Sequence, residues 1–527
     1  MKSITALALL LSTAALHAEK DGRPNILFLF SDDHALRSIS SYGGDLKTVA
    51  PTPNIDRIAK EGAIFKNSFC ANSICGPSRA CILTGKHSHK NGFTHNGGKG
   101  LDQSQWTVAK ALHKSGYTTA VIGKWHLQTN PVGFDHWEIL PGQGNYYNPD
   151  FKQMNGKVKR FPGYATDITT DKAIAWLDKR DQSKPFFLMC QHKAPHRTFS
   201  PALRHLDAFK GVQIPEPASL FDDYKNRSKT LAKNEMEIDR HFHWSYDAKL
   251  RKDERPGVKL PGPDGYGTPE YKRMTPDQRK QWDAHYGPLN QAFLKDFKAG
   301  KLSHKDIVRW KYQRYMHNYL ATVKAVDEGV GRMLKYLDDN GLTENTIVIY
   351  SSDQGFYTGE HGWYDKRWMF EQSMKMPFLI RWPGKVTAGS KPEAMIQNID
   401  YAPTFMEVAG LKAPAEVQGE SMLPVLTGAK KQHHESLYYA YYERGVHSVP
   451  QHFGVRTATH KLMYFPVTDE WNMFDLEKDP DEMKDVYGNP EYAAVRQELR
   501  AEYDRIRKKY DAPDYSSHIP GFKKREK

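Results

Sequence analysis

Ser73-Ile74-Cys75-Gly76-Pro77-Ser78-Arg79-Ala80-Cys81-Ile82-Leu83-Thr84-Gly85 is the stretch around which this chain is organised. Cysteine, proline and arginine stand at alternate positions 75, 77 and 79, and Leu83-Thr84-Gly85 closes the block. One reading is a turn around a buried free cysteine, because free cysteine is among the most buried residue types. Another is a thiolate nucleophile activated by the guanidinium of Arg79.

The 527 residues suffice for two domains, or for one large α/β domain with an appendage. A hydrophobic content of 39% with 12% aromatics supports a sizeable core and excludes global disorder. A net charge of +13 favours polyanionic partners, nucleic acid or a sulfated glycan. Neither zinc-finger spacing nor an RNP-like run is present, so nucleic acid is not expected. Lys2, the apolar run Ala6–Leu11 and the small residues ending at Ala18 have the shape of a secretory signal peptide over residues 1–18. That run is too short for a membrane span, which predicts an exported protein, periplasmic or secreted, without a stable membrane anchor. Cys70, Cys75, Cys81 and Cys190 are too few and too clustered for a disulfide scaffold, although a Cys70–Cys81 bridge remains open beside buried free thiols.

Three apolar runs end in chemistry-bearing residues, as strands of a parallel sheet do at their carboxyl ends. Ile26–Phe30 leads to Asp32-Asp33, a helix cap or a pair of hard oxygen ligands. Thr346–Tyr350 leads to Asp353-Gln354, which would complete a hard-cation shell. Thr118–Ile122 leads to Lys124 and His126, two apart and so able to meet one anion. A further run, Phe186–Cys190, ends in Gln191-His192-Lys193-Ala194-Pro195-His196. Residues 201–301 lose the alternation and read as an insertion of short helices, either solvated or a glycan-contacting lid. A long helix is expected over Tyr315–Leu337 and another over Tyr401–Ala409. Leu437–Tyr442, Gly454–Thr459 and Lys461–Phe465 alternate like antiparallel strands before a closing helix, Glu491–Lys509.

Cys-x-Pro-Ser-Arg followed by Leu-Thr-Gly resembles the maturation and active-site motif of the type I, formylglycine-dependent sulfatases. Gly123-Lys124-Trp125-His126 resembles the second block of that family, and Gly133-Phe134-Asp135 continues the match. The resemblance implies that Cys75 is oxidised to formylglycine by a maturation enzyme. It implies one calcium ion held by Asp32, Asp33, Cys75, Asp353 and Gln354. It makes Arg79, Lys124 and His126 partners of the hydrated aldehyde, and Lys366 a second sulfate-binding lysine. The family pattern puts a histidine two residues before the proline; here Lys193 takes that place and His192 lies three before it. One of His192, Lys193 and His196 is expected on the sulfate or the leaving oxygen, with His192 favoured.

The expected fold is an alkaline-phosphatase-like α/β sandwich, with a large mostly parallel sheet and a small C-terminal antiparallel sheet. The expected parts are a catalytic domain over 19–410 and a C-terminal subdomain over 411–527. The expected activity is hydrolysis of a carbohydrate sulfate ester. The histidine block and Gly142–Tyr147 resemble glycosaminoglycan sulfatases acting in exo fashion on 6-O-sulfated N-acetylglucosamine. His447, His452 and Arg456 are candidates to line the sugar pocket. The rivals are a uronate 2-O- or galactose-6-O-sulfatase, a phosphatase or phosphonate monoester hydrolase of the same superfold, and a secreted glycan-binding protein without catalysis.

Overall fold

In the computed structural model, which describes residues 22–515, the first apolar run is the central strand β1 (Asn25–Asp32), buried at every residue. The signal-peptide segment 1–18 lies outside the described residues. β1 is central because both its faces are apolar. Ile26, Phe28 and Phe30 pack into one layer, Leu27 and Leu29 into the other, as a period of two requires.

Eight more strands complete its sheet: β2 (Ala63–Phe65), β3 (Thr118–Lys124), β4 (His136–Leu140), β5 (Asp150–Gln153), β6 (Val158–Arg160), β7 (Phe186–Pro195), β8 (Thr346–Ser352) and β9 (Phe378–Arg381). Their order is β2-β9-β8-β1-β7-β3-β4-β5-β6. From β8 to β4 the neighbours run parallel, and the outer strands pair antiparallel. The carboxyl ends of β1, β3, β7 and β8 therefore meet on one side of the sheet, where open α/β sheets place their sites.

Helices cover both faces. On one lie α1 (Cys75–Thr84) and α5 (Tyr401–Val408); on the other lie α2 (Ala165–Lys179) and α4 (His304–Asp339). α4 is 36 residues long and starts well before the predicted Tyr315. Its first turns, residues 304–314, pack Ile307, Val308 and Tyr312 largely against the insertion. Ser303 and Asp306 start it with reciprocal caps.

The insertion is exposed on its outside but has a buried core. Ile214, Phe242, Trp244 and Leu250, with Phe293 of α3 (Pro276–Lys298), form a core of their own against Tyr312, Tyr315 and Tyr319 of α4. Aromatic side chains scattered through irregular backbone have no period, so their burial could not be read from the sequence.

The last sheet is β10 (Ser436–Tyr441), β11 (His452–Thr457), β12 (His460–Phe465) and β13 (Glu470–Asp475), antiparallel in chain order. It adds a fourth strand, β13, to the three expected. α6 (Ala493–Lys509) packs Leu499, Tyr503 and Ile506 onto Tyr438, Val455, Leu462 and Met473. All four cysteines are free and buried.

Candidate active site

Cys75 is the first residue of α1, entered from Ile74 in an extended conformation. Gly85 ends that helix in the left-handed region at φ 63°, a position glycine favours. A Cβ there would also stand 2.7 Å from Val417 Cγ1. The Leu-Thr-Gly of the motif is thus a helix stop wedged under the 417 loop. Burial pushes the Cys75 thiol far up, with Lys366 pulling down and Asp33 and Asp353 pushing up. As a thiol it is a poor nucleophile.

Opposite it stand three carboxylates with oxygens within 4.8 Å of one another: Asp32, Asp33 and Asp353. All three are fully buried. The Asp33 N–H donates to Asp353 Oδ1 at 3.1 Å, which joins the ends of β1 and β8. Gln354 turns its amide nitrogen to Asp33 Oδ1. Its Oε1 and the Asp32 Oδ1 are buried without a hydrogen-bond partner. Buried orphan acceptors are costly unless a cation or donor serves them. Carboxylate and amide oxygens in that number are the donor set of a hard cation such as calcium, so these four residues fit one.

The cations ring the same space. Arg79 Nε donates to Asp353 Oδ2 at 3.0 Å and its Nη1 to Gln191 Oε1 at 3.1 Å. Lys124 pairs with Asp32, and Lys366 Nζ reaches Asp33 Oδ2 at 2.7 Å. Burial, and then Lys193, hold Lys124 well below its ordinary range. Burial brings Lys193 down to about 8 against the opposing pull of Glu270 and Asp33. Burial, and then the Lys124 and Arg79 charges, keep His126 neutral. A pocket in which buried cations crowd one another is relieved by a bound anion.

Here one expectation is corrected. His192 does not reach this space. Its Nε2 lies 3.0 Å from Thr170 Oγ1 of α2, and a Cβ on Gly329 of α4 would touch its ring. In β7, Phe186, Leu188 and Cys190 face the α2–α4 layer, while Phe187 and Met189 face the α1 layer. His192 continues the first set. Lys193 and His196 face the site instead. Lys193 Nζ sits 4.7 Å over the Tyr146 ring, whose hydroxyl donates to the His196 carbonyl at 2.6 Å. His196 donates Nδ1–H to Arg197 O at 2.5 Å, and its Nε2 lies 3.6 Å from Asp33 Oδ2. A histidine nitrogen of His196 also groups with Asp32 and Cys75 within 4.8 Å.

Several residues around the site carried no readable signal. Asp365 and Arg367, flanking Lys366, are both left-handed, at φ 83° and 98°. Such backbone in non-glycine residues costs free energy and gathers at functional sites. They pair with each other at 2.7 Å, and Asp365 also meets His447 at 3.0 Å. Asn96 Oδ1 accepts the Gly76 N–H at 2.9 Å, and Glu443 accepts the Asn96 N–H at 2.9 Å. Asn96 and Glu443 also line an open cavity of about 800 Å³ with His95, Tyr442, Arg444 and Gln451. His452 and Arg456 do not line it. His452 Nε2 accepts the Met369 N–H in an aromatic core, and Arg456 is buried on Glu371.

The sulfatase family model matches residues 24–411, and the model for the C-terminal part of N-sulphoglucosamine sulphohydrolase matches 359–509. An N-acetylglucosamine-6-O-sulfatase of Bacteroides thetaiotaomicron is 46% identical over 513 residues, covering 96% of this chain and 90% of the relative. The solved structure of BT4656 in complex with its substrate D-glucosamine-2-N,6-O-disulfate superposes with a TM-score of 0.88 at 45% identity, covering 94% of this chain and all of that one (100%). A phosphonate monoester hydrolase of Agrobacterium radiobacter shares the fold alone, with a TM-score of 0.66 at 19% identity over 93% of this chain and 96% of that one.

Proposed function

The chain belongs to the sulfatase family and is a sulfuric ester hydrolase, and from that premise we propose that it removes the 6-O-sulfate from a terminal glucosamine or N-acetylglucosamine of a sulfated glycan. The observation that carries this reading is the convergence of Cys75, Lys366, Lys193 and His196 beside a cavity walled by Asn96 and Glu443. A primary 6-sulfate projects from its ring, so sulfate can lie among the cations while the sugar occupies the cavity. The carboxylates of Asp365 and Glu443 and the guanidinium of Arg367 are suited to sugar hydroxyls. The name of the Bacteroides relative agrees.

Asp32, Asp33, Asp353 and Gln354 would hold the calcium, with the orphan oxygens of Asp32 and Gln354 turned to it. When bound, calcium supplies Lewis-acid activation of a hydroxyl and neutralises charge. Formylglycine at residue 75, made by a maturation enzyme, would supply as its hydrate a nucleophilic hydroxyl and a second hydroxyl for the release of sulfate. Arg79, fixed by Asp353 and Gln191, then keeps a positive charge beside residue 75. Lys124, Lys193 and Lys366 neutralise the sulfate oxygens, and such preorganised charge is usually the largest catalytic term. His126, held neutral, hydrogen-bonds at the same oxygens.

His196 replaces His192 as the proton donor. Its Nδ1–H is fixed on a carbonyl, so Nε2 faces the site. Burial keeps it neutral in the free enzyme, and the negative charge of bound sulfate raises its affinity for a proton. The protonated ring then delivers Nε2–H to the leaving alcohol. Among the described residues no helix is long and apolar enough to cross a membrane; the signal-peptide pattern of Lys2, Ala6–Leu11 and Ala18 is what supports a site of action outside the cytoplasm, with the glycan.

The test is a side-by-side assay of N-acetylglucosamine-6-sulfate, glucosamine-6-sulfate, galactose-6-sulfate and a 2-O-sulfated uronate disaccharide. The glucosamine sugars should turn over fastest. Faster turnover of galactose or uronate would overturn the substrate and leave the sulfatase standing.

A further inference from the structure

We propose that Asp400, His433 and His434 form a second metal site, distinct from the carboxylate cluster and suited to zinc or a similar borderline transition ion. Asp400 lies at the start of α5, and His433 and His434 lie three and two residues ahead of β10. His434 Nε2 is 2.8 Å and His433 Nε2 is 3.3 Å from the same oxygen, Asp400 Oδ2. Neighbouring residues in extended chain normally point to opposite sides. Here the two rings turn toward each other, with centroids 4.2 Å apart. The His433 side chain is only 7% exposed, yet its Nε2 makes no hydrogen bond. That nitrogen meets Asp400 only through the 3.3 Å contact, out of hydrogen-bond alignment, and a cation shared by the three side chains would satisfy it better.

The donors choose the ion. Two imidazoles and one carboxylate suit zinc, cobalt or nickel; calcium prefers an all-oxygen shell. Ligand atoms around a tetrahedral zinc stand about 3.3 Å apart, given bonds of about 2.0 Å, close to the separations seen. Asp400 is already oriented from outside. Its Oδ2 accepts the Gln397 N–H at 2.8 Å and its Oδ1 the Glu420 N–H at 2.9 Å. Such outer hydrogen bonds fix a ligating carboxylate. Glu420, half-exposed and paired to Lys509 at 2.9 Å, stands beside His434 at the solvent side of the trio.

The ion would join two parts of the fold. The segment 397–400 reaches the nucleophile helix, where Asn398 Nδ2 donates to Ser78 Oγ at 2.8 Å. His433 and His434 lead into the C-terminal sheet. The role is a structural tie, separate from the calcium proposed above.

The test uses the full protein, stripped with chelator, reloaded with zinc, desalted and assayed for metal. About one zinc per chain is expected in the wild type and in Asp353→Asn, and none in His433→Ala. Cobalt(II) should give visible d–d bands in the wild type that His433→Ala lacks, and zinc should raise Tm only where His433 is present. If His433→Ala fails to fold, His433→Gln and the wild-type cobalt spectrum decide. Zinc absent from the wild type, or retained equally without His433, would reduce the trio to a hydrogen-bonded helix cap and overturn the proposal.

Discussion

The main-chain N–H of Asp33 donates to the carboxylate of Asp353 at 3.1 Å, which locks two strand ends 320 residues apart. Asp353 also receives Arg79 Nε at 3.0 Å. Asp353→Asn keeps an acceptor for the N–H but removes the charge that Arg79 and a bound cation both need. Turnover should fall at least about a hundredfold, together with bound calcium. Metal analysis beside kcat checks it, and full activity in metal-free protein would sink the cation site.

Cys75→Ala removes the reactive group and little core volume, so turnover should vanish while Tm stays within a few degrees. A peptide mass spectrum across residue 75, from active enzyme made in its native host, should show the aldehyde or its hydrate. A quantitatively unmodified thiol in that sample would refute the conversion.

His196→Ala should slow esters of alkyl alcohols by about 10²–10⁴-fold, the usual worth of a general acid. Aryl sulfates, whose leaving groups need no proton, should lose far less. Equal losses on both substrate types would mean that His196 only binds. His192→Gln should leave the ratio between the two substrates unchanged.

His192 carries a stability prediction instead. Thr170 Oγ1 spends its proton on Thr166 O at 3.0 Å, so His192 Nε2–H donates to it. Burial lowers the ring to about 4, from an ordinary 6.5. Above pH 6.5 it is neutral folded and unfolded, and pH has no leverage. Between 6.5 and 4 only the unfolded chain takes the proton, so stability falls with pH, by up to about 3 kcal/mol. Relative to His192→Gln, the wild type should lose stability across that window in urea unfolding. Parallel curves would show that His192 titrates normally.

Gly123 precedes Lys124 at φ +108°, and a Cβ there would stand 1.9 Å from the Gln191 carbonyl oxygen of β7. Gly123→Ala should cost about 3 kcal/mol or more and push Lys124 off its place. Thermal unfolding and kcat report the two losses. A variant with wild-type Tm would show that β3 and β7 have room to part.

By itself the sequence determined the sheet, the strand ends and most of the cluster. Long apolar runs ending in Asp32-Asp33, Lys124 and Asp353-Gln354 suit buried parallel strands with polar ends, and it is the resemblance to the sulfatase motifs that implies those ends share one site. The tertiary structure alone decided the face of each side chain. A strand apolar on both sides shows its parity in the sequence, but not which parity faces which layer. His192 and Lys193 therefore could not be told apart until α2 and α4 claimed one face of β7. The sugar side was hidden for a related reason. Asn96, the Asp365–Arg367 pair and Glu443 lie far apart in the chain, joined by the long-range contacts of Glu443 with Asn96 and Arg367, and Asp365 and Arg367 stand in strained backbone. Neither leaves a mark in local periodicity, because both are properties of packing.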